Sequence, residues 1–261
     1  MAEQRNPKER KSPQEQENPG GQKNPGEQGR PEEPKKARLD KAYVADTALD
    51  LLNDVGLEGL TLRAIAKELN VQAPALYWHF KNKQALLDEM ATVMFRRMTA
   101  AGSGVAGEAG IEAGEGIGYE PSGTWQEWLT QGNRQLRATL LRYRDGAKVF
   151  SGTRFTGTDH GAGLEANLRF LIDAGFTADQ AAWASSTAYM YTLGFVTEEQ
   201  GMRPYPPQEP PAIDVAERAE RLAAYPLAAA AGGQLFAAYD ERFEEGLRLI
   251  VSGIEARYGV R

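Results

Sequence analysis

"TLRAIAKELNVQAPALYWHFKNKQALL", residues 61–87, is the stretch on which the rest of the chain turns. Thr61 can cap a short helix whose Leu62, Ile65, Ala66 and Leu69 share one face, and Asn70-Val71 then breaks it. Another helix is expected from about Gln72, with Pro74 in its first turn, where a missing N–H costs nothing. Asn82 can cap a further helix in which Leu86, Leu87, Met90, Val93, Met94 and Met98 keep a helical step. Upstream, Asp40 is a plausible N-cap, and Val44, Ala48, Leu51, Leu52 and Val55 recur at three- and four-residue steps up to Gly56. If Ala73, Leu76 and Phe80 form the buried stripe, Tyr77, Trp78 and His79 cannot all point inward, and at least two must project. Short helices joined by a tight turn make a helix-turn-helix unit whose last helix would enter a major groove.

In such a unit, base edges are read near the recognition helix N-terminus, while other side chains hold the phosphates. Gln72 is suited to adenine, Arg63 to guanine, and Pro74 and Ala75 to the thymine methyl; Tyr77, His79 and the lysines suit the backbone. A competing reading has Tyr77 and Trp78 patching an under-packed three-helix core, which fits Trp78 alone better than Tyr77 and His79 together. The formal charge of −6 argues against indiscriminate coating of nucleic acid. Residues 39–85 carry five Lys/Arg against six Asp/Glu, so the signal is one of placement rather than charge.

Outward from this unit, residues 1–37 read as a disordered arm, rich in Asn-Pro-Gly and poor in large apolar side chains. The arm ends in a basic knot of Lys35, Lys36 and Arg38, which could follow a DNA backbone or enter a minor groove; an inert leader is the competing reading for residues 1–30. The expected division is a DNA-binding domain over 38–85 and a larger helical domain over 86–261. A Gly-rich loop at 101–123 and a Pro-rich loop at 201–212 interrupt the latter. "TWQE" at 124–127 is a capping box opening a helix through Trp128, Leu129, Leu136, Leu140 and Leu141, and Thr177 with Gln180 forms another. Further helices fit roughly 162–174, 178–199, 213–225 and 234–257. No alternating strand pattern is present, and the fold class is all-α. The absence of cysteine excludes disulfides and thiolate metal sites. His160, in "GTDHGAG", reads as a solvated loop histidine. With no apolar run long enough to span a bilayer and no signal-peptide core, the chain reads as soluble and cytoplasmic.

"LDKAYVADTALDLLNDVGLEGLTLRAIAKELNVQAPALYWHFKNKQALLDEM", residues 39–90, closely resembles the DNA-binding domain of the tetracycline repressor (TetR) family. "LYWH-x-KNK-x-ALLD" and "RDGAKVFSGTR", residues 144–154, resemble the tetracycline-repressor branch in particular. The resemblance covers roughly residues 38–257 outside the biased loops. It implies a homodimeric repressor that binds a palindromic double-stranded DNA operator and leaves it when a small-molecule inducer enters the helical core. It assigns base reading to Arg63, Gln72, Ala73, Pro74 and Ala75, and backbone contact to Thr61, Tyr77, Trp78, His79 and Lys83. It also implies a four-helix dimer bundle from about 178–199 and 234–257, with Phe236, Tyr239, Phe243, Leu247, Ile250 and Ile254 as an apolar stripe. The competing reading is a core stripe within one subunit.

The ligand positions implied by the resemblance are Thr99, Gly132, Leu136, Phe150, Thr153, Arg154, Asn167 and Glu198. Phe150 falls where the branch has a metal-binding histidine, Thr99 about where a histidine contacts the drug, and Gly132 about where an asparagine stands. Thr153 and Glu198 match positions acting on the metal largely through water. Losing the direct ligand leaves a poor cation site, so no cofactor is expected, no magnesium, and an inducer other than tetracycline–magnesium. "RDGAKV" is expected to keep a coupling role. Two other classes compete: a ligand-independent DNA-binding protein, which should be basic, and an α-helical enzyme. For the latter, "GSGVAG" at 102–107 has no preceding strand and Ser185 and Ser186 have no evident base, so no catalytic set is found.

Overall fold

The short polar side chains that mark helix starts in the sequence do cap helices. Asp40 accepts from the Tyr43 N–H at 2.8 Å, Thr61 from Ala64 at 3.1 Å, and Asn82 from Ala85 at 2.9 Å. Thr124–Glu127 and Thr177–Gln180 close both halves of their capping boxes. A computed structural model of the chain describes residues 39–102, 121–203 and 213–260. Arg38, the arm, most of the Gly-rich loop and nearly all of the Pro-rich loop lie outside the described residues.

The described residues form α1 (Lys41–Gly59), α2 (Leu62–Glu68), α3 (Ala73–Tyr77), α4 (Lys83–Gly102), α5 (Trp125–Leu141) and α6 (Gly146–Phe150). They continue with α7 (Asp159–Asp173), α8 (Ala178–Met202), α9 (Val215–Arg221), α10 (Pro226–Ala230), α11 (Gly232–Phe236) and α12 (Tyr239–Tyr258). Among the described residues there is no strand. The described residues cluster as one compact unit.

One apolar core runs from Val44, Leu49, Leu52, Ile65, Leu76 and Phe80 through Leu86, Met90 and Met94 of α4 to Leu136, Leu140 and Phe150. Helix α4 therefore belongs to both halves of the molecule, crossing the expected domain boundary without a break. A second core, around Trp125, Leu171, Phe176, Ala184 and Ile254, binds α5, α7, α8 and α12.

Several boundaries differ from expectation. The helix foreseen over 234–257 is broken at Ala238, whose φ of 50° is left-handed, so Phe236 belongs to α11 and the long helix starts at Tyr239. The 213–225 helix stops at Arg221, because Pro226 forces a new start. His160 is not in a loop: it stands in the first turn of α7. The five-residue α6 went unforeseen, being too short to show a period. Tyr239, Phe243, Leu247 and Ile254 of the expected dimer stripe are buried within this one chain.

Gly146 opens α6 beneath the end of α5, and a Cβ there would overlap the Leu140 carbonyl oxygen. Because that obstacle is main chain, it cannot swing aside. Gly146→Ala is expected to cost roughly 1–3 kcal/mol of stability, read as a lower urea midpoint with an unchanged m-value.

Candidate nucleic-acid interface and ligand core

The turn between α2 and α3 is made by Asn70, in the left-handed region at φ 51°, and by the Val71 N–H returning to the Ala66 carbonyl at 2.9 Å. It sets α3 so that Leu76 and Phe80 enter the core. Tyr77 is then 54% exposed and Trp78 91% exposed, so Trp78 patches no core. His79 is half-buried, its ring 6.5 Å from that of Phe80. Gln72 is exposed and, although it is the N-cap residue of α3, its side chain makes no capping bond. Arg63 and Pro74 are also exposed, and Ala73 and Ala75 partly so. Thr61 spends its hydroxyl on the cap of α2. Lys83 is exposed, and its Nζ donates to the Leu57 carbonyl at the end of α1 at 2.6 Å.

Leu57 is held from both sides. Its N–H donates to Asp145 Oδ2 at 3.0 Å, while its carbonyl takes the Lys83 ammonium. Gly56, with φ 67°, kinks α1 just before this point, and Arg144 closes over the kink. The Arg144 N–H reaches Asn53 Oδ1 at 2.8 Å, and its guanidinium reaches the Asp54 carbonyl at 3.2 Å. On the far side, Gln200 of α8 accepts from the Ala147 N–H and donates to the Leu140 and Tyr143 carbonyls. "RDGAKV" thus joins α1, α6 and α8.

Burial raises the Asp145 carboxyl, but Lys148, the Leu57 N–H and Arg144 outweigh it and hold the carboxyl below its usual range. A depressed folded pKa means that the stabilisation is complete above the ordinary carboxylate pKa of about 3.9 and is lost as pH falls through the lower folded value. The stability gap between the parent and Asp145→Asn should be constant from neutral pH to about pH 5 and close only in stronger acid. Denaturant titrations across pH measure it.

The expected ligand positions do not all converge. Leu136 and Phe150 share the first core. Thr153 follows α6 and spends its hydroxyl on the Phe150 carbonyl at 2.8 Å. Thr99 lies late on α4 with its hydroxyl bonded to its own helix, and Gly132 on α5 has open space where a Cβ would be. Asn167 of α7 buries its Oδ1 without a hydrogen-bond partner among the described residues. Glu198 is exposed, whereas its neighbour Glu199 is fully buried and accepts two bonds from Arg137 at 2.9 Å. Phe150 presents a carbon ring where a direct metal ligand was expected from resemblance, the Thr153 hydroxyl donates to the Phe150 carbonyl, and Glu198 is exposed. Among the described residues no group of three His, Cys, Asp or Glu side chains is arranged to hold a metal.

The segment between α6 and α7 is fastened to α4 instead. The Arg154 N–H donates to Asp88 Oδ1 at 3.0 Å, the Thr156 N–H to Thr92 Oγ1 at 3.0 Å, and the Thr156 hydroxyl to Glu89 Oε2 at 2.8 Å. Arg154 is itself exposed and contributes its backbone here. The sequence does signal this latch. Glu89 stands three residues after Leu86 and four before Val93, on the inward face of α4, where a carboxylate needs a partner.

Comparison with known proteins resolves both halves. Residues 44–90 match the family model for bacterial regulatory proteins of the tetR family, and residues 117–258 match the tetracyclin repressor-like C-terminal domain. The chain belongs to the TetR family. Regulators of this family bind DNA, dimerise and bind small-molecule ligands, and they are not enzymes.

Among relatives of this TetR-family chain is the class A tetracycline repressor protein from transposon 1721 of Escherichia coli. It is 38% identical over 224 residues, covering 84% of this chain and 92% of that protein. The solved structure of a possible TetR family transcriptional regulator from Streptomyces coelicolor A3(2) superimposes with a TM-score of 0.67 at 36% identity, covering 83% of this chain and 99% of that one. The structure of class A TetR with 5a,6-anhydrotetracycline and magnesium gives a TM-score of 0.56 at 34% identity, covering 84% and 99%. No described helix of the TetR-family chain is long and apolar enough to cross a membrane.

Proposed function

We propose that the chain is a cytoplasmic, homodimeric transcriptional repressor that binds a palindromic operator and is released by an inducer other than tetracycline–magnesium. The observation that carries this reading is the joint at Leu57, which ties the helix-turn-helix unit (Lys83 and the end of α1) to the start of α6 through Asp145. This joint supports a reading in which a change in the ligand half is felt in the DNA-binding half. Residues 38–85 act as the DNA-binding domain and 86–261 as the ligand-binding and dimerising one. Gln72, Arg63 and the Ala73–Ala75 turn read bases, and Tyr77, Trp78, His79 and Thr61 hold the backbone.

Trp183 and Met190 on α8 and Leu249 on α12 are exposed, apolar and large, which suits a bundle with a second copy. The two recognition helices of such a dimer must match half-sites about 34–36 Å apart. An inducer that prefers a dimer with a different spacing therefore shifts the population away from the operator.

The test is fluorescence anisotropy of labelled DNA from upstream of the chain's own gene, titrated with protein and then with tetracycline plus magnesium. The expected result is tight binding that the drug leaves intact. Release by tetracycline–magnesium would overturn the inducer reading, and failure to bind that DNA or any palindromic site selected from a random pool would overturn the repressor reading.

A further inference from the structure

We propose a ligand seat, outside the ligand positions set by family resemblance apart from its Phe150 wall, that takes a planar aromatic molecule carrying a hydroxyl group, without a metal. The proposal rests on the reading of the chain as ligand-responsive and names the chemistry of that response.

Four rings meet between α4, the 151–158 segment and the first turn of α7. Phe155 lies 4.8 Å from Phe95, 5.7 Å from Phe150 and 5.3 Å from His160, centroid to centroid. These are aromatic packing distances. A cavity of about 10 Å³ opens beside them, lined by Thr92, Phe95, Arg96, Phe155, Gly157 and His160. The His160 Nδ1 is shut off from solvent and has no hydrogen-bond partner among the described residues. An unpaired buried ring nitrogen costs free energy unless something meets it. The space holds one hydroxyl group or one water and no more.

The wall that can yield is Phe155. It is only half-buried and sits in a non-helical segment between Gly152, left-handed at φ 70° with open space around it, and Gly157. An aromatic ligand takes the place of the Phe155 ring against Phe95 and Phe150 and sets its hydroxyl on His160 Nδ1. Stacking supplies affinity, and the single nitrogen supplies direction. Displacing Phe155 also strains its neighbours Arg154 and Thr156, which hold the latch to Asp88, Glu89 and Thr92 of α4. Occupancy of the seat is therefore felt by the helix that enters the DNA-binding unit.

The test uses the full chain labelled with 15N-histidine, in buffer containing EDTA, titrated with 2-naphthol and separately with naphthalene. The chain has two histidines, so His79 is an internal control. 2-Naphthol is expected to shift the His160 ring nitrogens saturably and leave His79 unmoved, and naphthalene to bind roughly tenfold more weakly, the worth of one buried hydrogen bond. His160→Phe keeps a ring against Phe155 and should abolish that preference. Any of four results would overturn the seat: no saturable shift at His160, equal shifts at both histidines, equal affinity for the two probes, or binding that requires magnesium. Operator binding is measured on the same sample. Tight operator binding with no His160 shift removes the seat and leaves the repressor, whereas a saturable shift without operator binding does the reverse.

Discussion

Arg137→Ala is expected to lower the unfolding free energy by about 3 kcal/mol, the lower end of the cost of stranding a buried charge. Glu199 is fully buried in α8, and Arg137 of α5 meets both its oxygens at 2.9 Å. The same guanidinium reaches Asp240 of α12 at 2.7 Å and lies over the Phe243 ring at 5.0 Å. One side chain of α5 thus supplies charge, hydrogen bonds and ring contact to two other helices. Arg203, half exposed, also touches Glu199 at 3.0 Å, which keeps the loss from being larger. Arg137→Met combined with Glu199→Leu should recover most of the stability, since a well-packed apolar pair replaces a buried ion pair at little cost. Urea unfolding at one fixed protein concentration is the measurement, because any dimer makes stability depend on concentration. A change under about 0.5 kcal/mol for Arg137→Ala would mean that water reaches Glu199 and the network contributes nothing.

Gln72→Ala should weaken operator binding by about 1–3 kcal/mol and relax discrimination at one base pair, while leaving stability unchanged. The residue sits at the N-cap of α3, yet its side chain makes no cap bond and is exposed. Its carbonyl accepts from the Ala75 N–H, a bond that alanine keeps, so removing the side chain costs the fold little. A uniform loss across all operator variants would assign Gln72 to the phosphates instead of a base edge. Loss of stability in parallel with binding would place it in the fold after all.

Most of the DNA-binding half was legible because its signals are local. Thr61, Asn82 and the 73–76–80 stripe each depend on residues a few positions away; both caps form, and Leu76 and Phe80 are buried while Ala73 is partly so. Helix geometry alone required at least two of Tyr77, Trp78 and His79 to project, and Tyr77 and Trp78 are the two exposed. The ligand half was harder to read. Family resemblance names Glu198 and Thr153, but whether their oxygens meet depends on how α6 and α8 pack, which no window of sequence contains. The partnered groups that matter most, Glu89 with Thr156 and Glu199 with Arg137, lie 67 and 62 residues apart. Their sequence trace is a carboxylate on an otherwise apolar helix face, which announces that a partner is needed without saying which. His160 was misread because a Gly-rich flank looks like a loop, although Asp159 onward coils into α7.

The joint at Leu57 uses only that residue's main-chain N–H and carbonyl, gripped by Asp145 and Lys83. Any amino acid except proline presents the same two groups. The side chain at 57 packs against the first core and is therefore free to drift only among apolar types while the connection persists, so swaps among those types would look silent. The connection would surface among such swaps only at its two gripping residues, 88 and 26 positions away. A joint built this way stays hidden from any survey that changes only the residue at its centre.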